Sequence, residues 1–170
     1  MPATEAQPDK VLAEALIGDK DFARWLLDKT RFQGAPVTCV MARCDNPWSS
    51  VKLEGPNPAS GEIEILSREC ETDVLAVFET TDQRRFALHI ENKLAGGGFT
   101  PDQPELYQAR LTQWRNREKL GKYSDAASVL VAPRLFFERN EAQCRVFDFF
   151  VLHEEIATRL PAFAGVEASR

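Results

Sequence analysis

The chain has 170 residues, of which 44% are hydrophobic, so it is long enough to bury a core of its own. Its formal net charge of −5 excludes a protein that binds nucleic acid through overall charge, although a local basic patch stays compatible with the total. No apolar run reaches membrane-spanning length, and the polar N-terminus lacks a signal-peptide pattern. We therefore expect one globular domain over residues 1–170 with no membrane partner.

The cysteines do not predict a structural zinc site. Cys39, Cys44, Cys70 and Cys144 form no C-x-x-C pair, and the chain has only two histidines to complete a zinc site. This pattern is typical of reduced, partly buried thiols in a cytoplasmic protein.

The N-terminal region predicts helix after a flexible tail. Residues 1–8 are polar and are expected to be flexible, with Asp9 available to cap the segment that follows. From Lys10 to Lys29 the apolar residues recur at near-helical spacing. Gly18 and Asp19 interrupt this pattern, which predicts one kinked helix or two short ones.

The next segment predicts two strands separated by an irregular loop. Residues 37–42 read as a short strand, and 44–61 are rich in Asn, Pro, Ser and Gly, which favours a loop. Trp48 within it could pin the loop to the core or stack on a base. Residues 62–68 alternate polar and apolar, so they predict a half-buried strand that pairs with 73–79 in an antiparallel meander.

Two apolar runs, 73–79 and 85–91, flank a polar turn and predict a β-hairpin. If Asp73 pairs with Glu91, period-two alternation places Lys93 on the same face as these two carboxylates. The opposite face is then entirely apolar and consists of Val74, Ala76, Phe78, Phe86, Leu88 and Ile90. A shift of one residue would mix the two sets, which favours this register.

Two carboxylates and a lysine at one strand end suit a divalent metal site. Asp73 and Glu91 offer hard oxygen ligands for Mg²⁺ or Mn²⁺, and the Lys93 ammonium could hold and help deprotonate an attacking water. The alternative is a solvated hairpin end with one ion pair. His89 lies on the same face, as a hydrogen-bonded spacer or as a phosphate contact.

A helix is predicted from Thr100 to about Lys119. Thr100 would be the N-cap, and Gln103 would complete a capping box. Tyr107 lies four residues after Gln103 and shares its helical face, which capping does not explain.

The second half of this helix is basic. Residues 110–122 contain five basic residues and one acidic residue, with Trp114 interleaved. This pattern predicts a surface for a phosphate backbone, whereas the alternative is an ordinary solvated helix face. The predicted nucleic-acid-binding residues are Arg110, Arg115, Arg117, Lys119 and Lys122.

The C-terminal third predicts two further strands and a helix. Residues 128–132 and 145–152 are strand-like, and 153–160 predict a short helix that Pro161 ends.

Asp73 followed by Glu91-Asn92-Lys93 at the end of an apolar strand resembles the motif of PD-(D/E)XK nucleases. The similarity is to standalone bacterial and phage members, and it covers roughly residues 60–132. One departure is that Thr72, not proline, precedes Asp73.

A second motif strengthens the resemblance. Gln103 and Tyr107 match the Q-x-x-x-Y motif of RecB-like members. The resemblance implies an α/β fold, with a central mixed β-sheet flanked by helices in the αβββαβ core of restriction endonucleases.

The resemblance also implies a function, metal-dependent hydrolysis of phosphodiester bonds in DNA. Asp73, Glu91 and the Asn92 carbonyl would bind Mg²⁺ or Mn²⁺, Lys93 would activate the water, and two further residues, Gln103 and Tyr107, would support the site.

Several alternatives stay open. The fold could instead serve as a non-catalytic nucleic-acid-binding or protein-assembly module. RNA as substrate, endonuclease or exonuclease action and a homo-oligomer are all compatible with the sequence. The family often has a third acidic ligand, for which the candidates are Glu14, Glu64, Glu69 and Glu71.

Overall fold

The computed structural model describes residues 6–34 and 36–164. The strands are β1 Val37–Arg43, β2 Trp48–Pro56, β3 Ile63–Glu71, β4 Val74–Thr80, β5 Arg85–Asn92, β6 Asp125–Ala132 and β7 Phe149–Leu152. The α-helices are α1 Ala6–Gly18, α2 Lys20–Leu27, α3 Gln103–Gln113, α4 Arg134–Arg139, α5 Glu141–Cys144 and α6 His153–Ala157, and two 3₁₀ turns cover Glu118–Leu120 and Pro161–Phe163.

A five-stranded mixed sheet in the order β1-β4-β5-β6-β7 forms the centre of the fold. β1 and β5 run antiparallel to β4, whereas β6 runs parallel to β5 and β7 runs parallel to β6. Helix α3 lies in the connection between β5 and β6, as a parallel pairing requires. The predicted α/β class and central mixed sheet are confirmed, and β2 and β3 form a separate two-stranded sheet.

The β4–β5 hairpin has the predicted register. Leu75 lies opposite His89, and Val77 lies opposite Ala87. The predicted apolar face belongs to one hydrophobic cluster with residues of α1 and α2. The opposite face is buried as well, because Leu75, Val77 and Ala87 pack with residues of α3. The hairpin therefore lies at the centre of the sheet, covered on both sides.

The predicted loop at 44–61 is wrong, because much of it is strand β2. β3 pairs with β2 along its whole length and not with β4, whose outer neighbour is β1. The side-chain amide of Gln113 donates to Lys52 O at 2.9 Å and accepts from Lys52 N at 2.7 Å. These bonds attach the two-stranded ribbon of β2 and β3 to α3. The composition of this segment is typical of a loop and therefore did not predict a strand. The hydrogen bonds between strands come from the backbone, so a strand tolerates Ser, Gly and an edge proline.

Of the two alternatives predicted for the N-terminal region, one kinked helix or two helices, the structure has two helices. Asp19 is the N-cap of α2, and its side chain accepts from the amides of Asp21 and Phe22 at 3.0 Å. The flexible tail is wrong for 6–8, which are helical, and residues 1–5 lie outside the described residues. Asp9 lies inside α1 and therefore does not cap it.

Helix α3 is shorter than predicted at both ends. Asp102, with a left-handed φ of 61°, is the N-cap in place of Thr100 and forms no side-chain capping bond. The helix stops at Gln113 and not at Lys119. The reason is a turn in which Asn116 adopts a φ of 58° and its amide donates to a carbonyl outside the helix.

The C-terminal elements match the prediction in part. β6 contains the predicted strand 128–132, and α6 lies within the predicted helix 153–160. The strand predicted for 145–152 is shorter, because only Phe149–Leu152 pairs with β6. No helix in the described part of the chain is long and apolar enough to cross a bilayer.

Gly121 should be intolerant of a side chain. Its φ is 92°, and a Cβ there would lie 2.8 Å from Val77 Cγ2 and 3.1 Å from Met41 Cε. Gly121→Ala is therefore expected to lower the free energy of unfolding by about 2–3 kcal/mol, through a strained backbone and overlap in the core. Gly18→Ala is the matched control, since a Cβ at Gly18 meets nothing within 4 Å. Urea unfolding checks both variants, and equal stability of the two would contradict the expectation.

Candidate active site

The end of β5 and the start of β4 bring the predicted motif residues together. Glu91 and Asn92 are the last residues of β5, and Asp73 directly precedes β4. The Asn92 amide donates to Asp73 Oδ2 at 2.8 Å, and the Lys93 amide donates to Val131 O of β6 at 2.8 Å. Two neighbouring strands therefore hold the backbone that carries the motif.

Glu91 is the centre of the side-chain network. Its carboxylate is 3% exposed and accepts from three groups. Lys93 Nζ lies 2.6 Å from Glu91 Oε1, and Gln103 Nε2 donates to the same oxygen at 2.7 Å. The Tyr107 hydroxyl donates to Glu91 Oε2 at 2.5 Å. The two sequence motifs thus meet at one carboxylate.

Gln103 connects the start of α3 to the site. While its Nε2 donates to Glu91, its Oε1 accepts from Lys93 Nζ at 3.1 Å and from the Thr100 amide at 3.2 Å. The last contact is half of the predicted capping box. One side chain therefore makes a local contact with the Thr100 amide as well as the contacts with Glu91 and Lys93.

Tyr107, on the buried side of α3, contacts residues just before β4 and near the end of β5. It is 0% exposed, and its hydroxyl lies 3.2 Å from Thr72 Oγ1, 3.4 Å from the Asp73 amide nitrogen and 3.3 Å from Ile90 O. Burial, and then the charge of Glu91, raise the pKa of the Tyr107 hydroxyl. It is therefore neutral at pH 7 and acts as a hydrogen-bond donor.

Asp9 and His153 belong to this cluster, although their contacts with it could not be predicted from the sequence. Asn92 Nδ2 donates to Asp9 Oδ1 at 2.8 Å, and Asn92 Oδ1 lies 2.7 Å from His153 Nε2. All three side chains are buried. Burial lowers the pKa of His153 to about 4, so its ring is neutral at pH 7. No local pattern pointed to these contacts, which join residues 83 and 61 positions apart.

The acidic residues considered as a third ligand are all exposed. Glu14 is exposed and pairs with Lys10 at 3.8 Å, and Glu64 is exposed and accepts from Asn57. Two others, Glu69 and Glu71, are exposed on β3. The buried carboxylate that accompanies Asp73 and Glu91 is instead that of Asp9.

The five predicted nucleic-acid-binding residues do not form one exposed face. Arg110 is 1% exposed and donates to Glu71 O, while Arg117 is half-buried and donates to Ser49 Oγ. Arg115 pairs with Asp125 at 3.4 Å, and Lys122 pairs with Glu118 at 2.9 Å. Lys119 is exposed, with its Nζ 5.6 Å from the centre of the Trp48 ring.

A groove of about 520 Å³ adjoins the cluster on the ribbon side. Gln103 and Leu106 of α3 line one part of it, and Trp48, Glu69 and Glu71 line another. Trp48 is 60% exposed, so it does not pin the segment to the core as one of the two alternatives predicted. His89, by contrast, is a buried spacer whose Nε2 lies 2.8 Å from the Tyr123 hydroxyl.

The cluster contains more carboxyl groups than basic groups. Asp9, Asp73 and Glu91 lie close together, and Lys93 is the cation beside them. Burial, and then the charge of Glu91, raise the pKa of Asp73 to about 8. A buried carboxylate is stable in its charged form only when it is paired or coordinates a metal, so this donor set fits a hard divalent cation.

The fit depends on few ligands. Within residues 6–34 and 36–164, no group of three or more His, Cys, Asp or Glu side chains is arranged to hold a metal ion. The candidate set therefore consists of two carboxylates, Asp73 and Glu91, with the main-chain carbonyl of Asn92.

The raised pKa of Asp73 predicts how stability changes with pH. The folded pKa lies above the unfolded value, so the contribution to stability is fully present below about pH 4 and is lost as pH rises through about 8. Without divalent metal, the parent should lose roughly 2–3 kcal/mol between pH 5 and pH 8 relative to Asp73→Asn, after allowance for partial exposure. The substitution keeps an acceptor for the Asn92 amide. Urea unfolding at several pH values tests this, and parallel curves for the two proteins would contradict it.

Comparison of the chain with family models, with curated proteins and with solved structures gave no match.

Proposed function

We propose that the protein is a metal-dependent nuclease that hydrolyses phosphodiester bonds in DNA. The observation that carries the proposal is the convergence on Glu91 of Lys93, Gln103 and Tyr107, with Asp73 directly before the adjacent strand β4. These are the residues of the two motifs that resemble PD-(D/E)XK nucleases. The order of α1, β1, β4, β5, α3 and β6 is compatible with an αβββαβ core, with the β2–β3 ribbon inserted between β1 and β4.

Each residue has a chemical role in this proposal. Asp73, Glu91 and the Asn92 carbonyl would hold Mg²⁺ or Mn²⁺, which supplies a Lewis acid for the phosphate. The Lys93 ammonium is 11% exposed and is held by Glu91 and Gln103. It would orient the attacking water and help to deprotonate it. Gln103 and Tyr107 keep the Glu91 carboxylate in one orientation.

The alternative is a non-catalytic nucleic-acid-binding or protein-assembly module. The dispersal of the basic side chains favours it, because the burial of Arg110 and the ion pairs of Arg115 and Lys122 leave fewer cations for a phosphate backbone. A buried, charged cluster argues against it, since such a cluster destabilises a protein that does not use it.

A cleavage assay separates these functions. The parent should cut DNA with Mn²⁺ or Mg²⁺ and should stop when the metal is chelated, and Asp73→Asn should reduce the rate by about 10³-fold or more. Linear and circular DNA substrates in parallel distinguish exonuclease from endonuclease action. An RNA substrate tests whether the protein cleaves RNA as well. A folded parent that cuts none of these with any metal would overturn the nuclease proposal.

A further inference from the structure

The side chain of Asn92 is held between two buried residues from opposite ends of the chain. Its Nδ2 donates to Asp9 Oδ1 of α1 at 2.8 Å, and its Oδ1 lies 2.7 Å from His153 Nε2, at the first residue of α6. Asn92 is 1% exposed and His153 is 0% exposed. An amide in this environment has one satisfied orientation, because water does not reach it to replace either partner.

The donor and the acceptor can be assigned in both hydrogen bonds of the Asn92 side chain. A carboxylate only accepts, so the Asn92 amide nitrogen faces Asp9 and its oxygen faces His153. The oxygen accepts, and His153 Nε2 is therefore the protonated nitrogen of the ring. Among the described residues no group hydrogen-bonds to His153 Nδ1, in agreement with this tautomer. The ring also packs edge-on against Phe163, which limits its rotation.

The backbone of Asn92 lies at the centre of the motif. Its amide donates to Asp73 Oδ2, and its neighbours are Glu91 and Lys93. Because the amide end of the Asn92 side chain is held by two buried partners, a displacement of the Asn92 backbone would break those hydrogen bonds. The two partners therefore help to keep in place the carbonyl that the proposed metal site uses.

We propose that His153 is a positioning residue. With Asp9 it fixes the Asn92 side chain, and through it the main-chain carbonyl that would bind the proposed metal. This inference rests on the proposed metal site and adds to it two residues that would act on it through their hydrogen bonds to Asn92. Residues that orient metal ligands typically change metal affinity by about 10–100-fold when they are lost.

The test is Mn²⁺ binding measured by calorimetry, which needs no cleavage. His153→Phe keeps a ring but removes the donor, and it should weaken Mn²⁺ binding by about 10-fold or more. His153→Gln places an amide donor near the position of Nε2 and should bind Mn²⁺ within about threefold of the parent. His89→Phe is the matched control, because it removes an equally buried histidine that contacts Tyr123 and not Asn92. It should keep the affinity of the parent.

The outcomes separate this inference from the nuclease proposal. A parent that binds Mn²⁺ while folded His153→Phe binds it equally well would overturn the positioning role alone. A parent that binds no Mn²⁺ would overturn the metal site, and this inference with it.

If His153→Phe fails to fold, Asp9 supplies the second measurement, since Asp9→Asn keeps the acceptor for Asn92 and Asp9→Ala removes it. Tighter Mn²⁺ binding by Asp9→Asn than by Asp9→Ala, by about 10-fold, supports positioning through Asn92. Equal losses would mean that Asp9 acts on the metal directly and would overturn this role.

Discussion

Lys93→Met should abolish cleavage while the protein still binds metal. The ammonium is the group that would orient the water, and loss of such a group typically lowers the rate by about 10²–10⁴-fold. Mn²⁺ affinity should stay the same or increase severalfold, because the substitution removes a cation 2.6 Å from Glu91. Single-turnover cleavage and calorimetry on the same preparation measure the two effects separately.

The same substitution should change stability in a metal-dependent way. Without metal, a buried Glu91 that has lost its ion pair should lower the free energy of unfolding by about 3 kcal/mol, and Mn²⁺ should restore part of it. Lys20→Met is the control, because Lys20 is exposed at the start of α2 and should affect neither property. Cleavage by Lys93→Met at the rate of the parent would mean that another group activates the water.

Arg110→Ala should destabilise the protein rather than weaken its contact with nucleic acid. The guanidinium carbon lies 3.5 Å from the centre of the Tyr107 ring and 5.3 Å from that of Trp114, and the group donates to Glu71 O. Loss of the stacking and of a charged donor to a partly buried carbonyl is expected to lower the free energy of unfolding by about 3 kcal/mol. Urea unfolding measures this loss.

Lys119→Ala is the contrasting variant. Lys119 is exposed beside Trp48, so its removal should change stability by less than about 0.5 kcal/mol. If the surface near Trp48 contacts phosphates, Lys119→Ala should weaken DNA binding. The slope of the logarithm of the binding constant against the logarithm of salt concentration should become shallower by about one. A stable Arg110→Ala protein with weakened DNA binding would show that Arg110 is an interface residue after all.

The local part of this protein could be predicted from its sequence. The alternation of apolar and polar residues on either side of a turn was sufficient to predict the β4–β5 register, because a shift by one residue would bury the carboxylates in the apolar core. The spacing of Gln103 and Tyr107 predicted one shared helical face, and both side chains contact Glu91. These features depend on residues close together in the chain, where backbone geometry determines which side chains share a face.

The remaining features were decided by tertiary packing. The same periodicity that predicted a basic helix face could not show that Arg110 is covered, because burial depends on the ribbon and rings that pack over it. Asp9 and His153 meet at Asn92 only because α1 and α6 both pack near the end of β5. No spacing rule connects positions so far apart, since their contact depends on the path of the whole chain. The sequence by itself therefore determined the hairpin and the motif residues on it, and the tertiary structure decided which buried groups hold that motif in place.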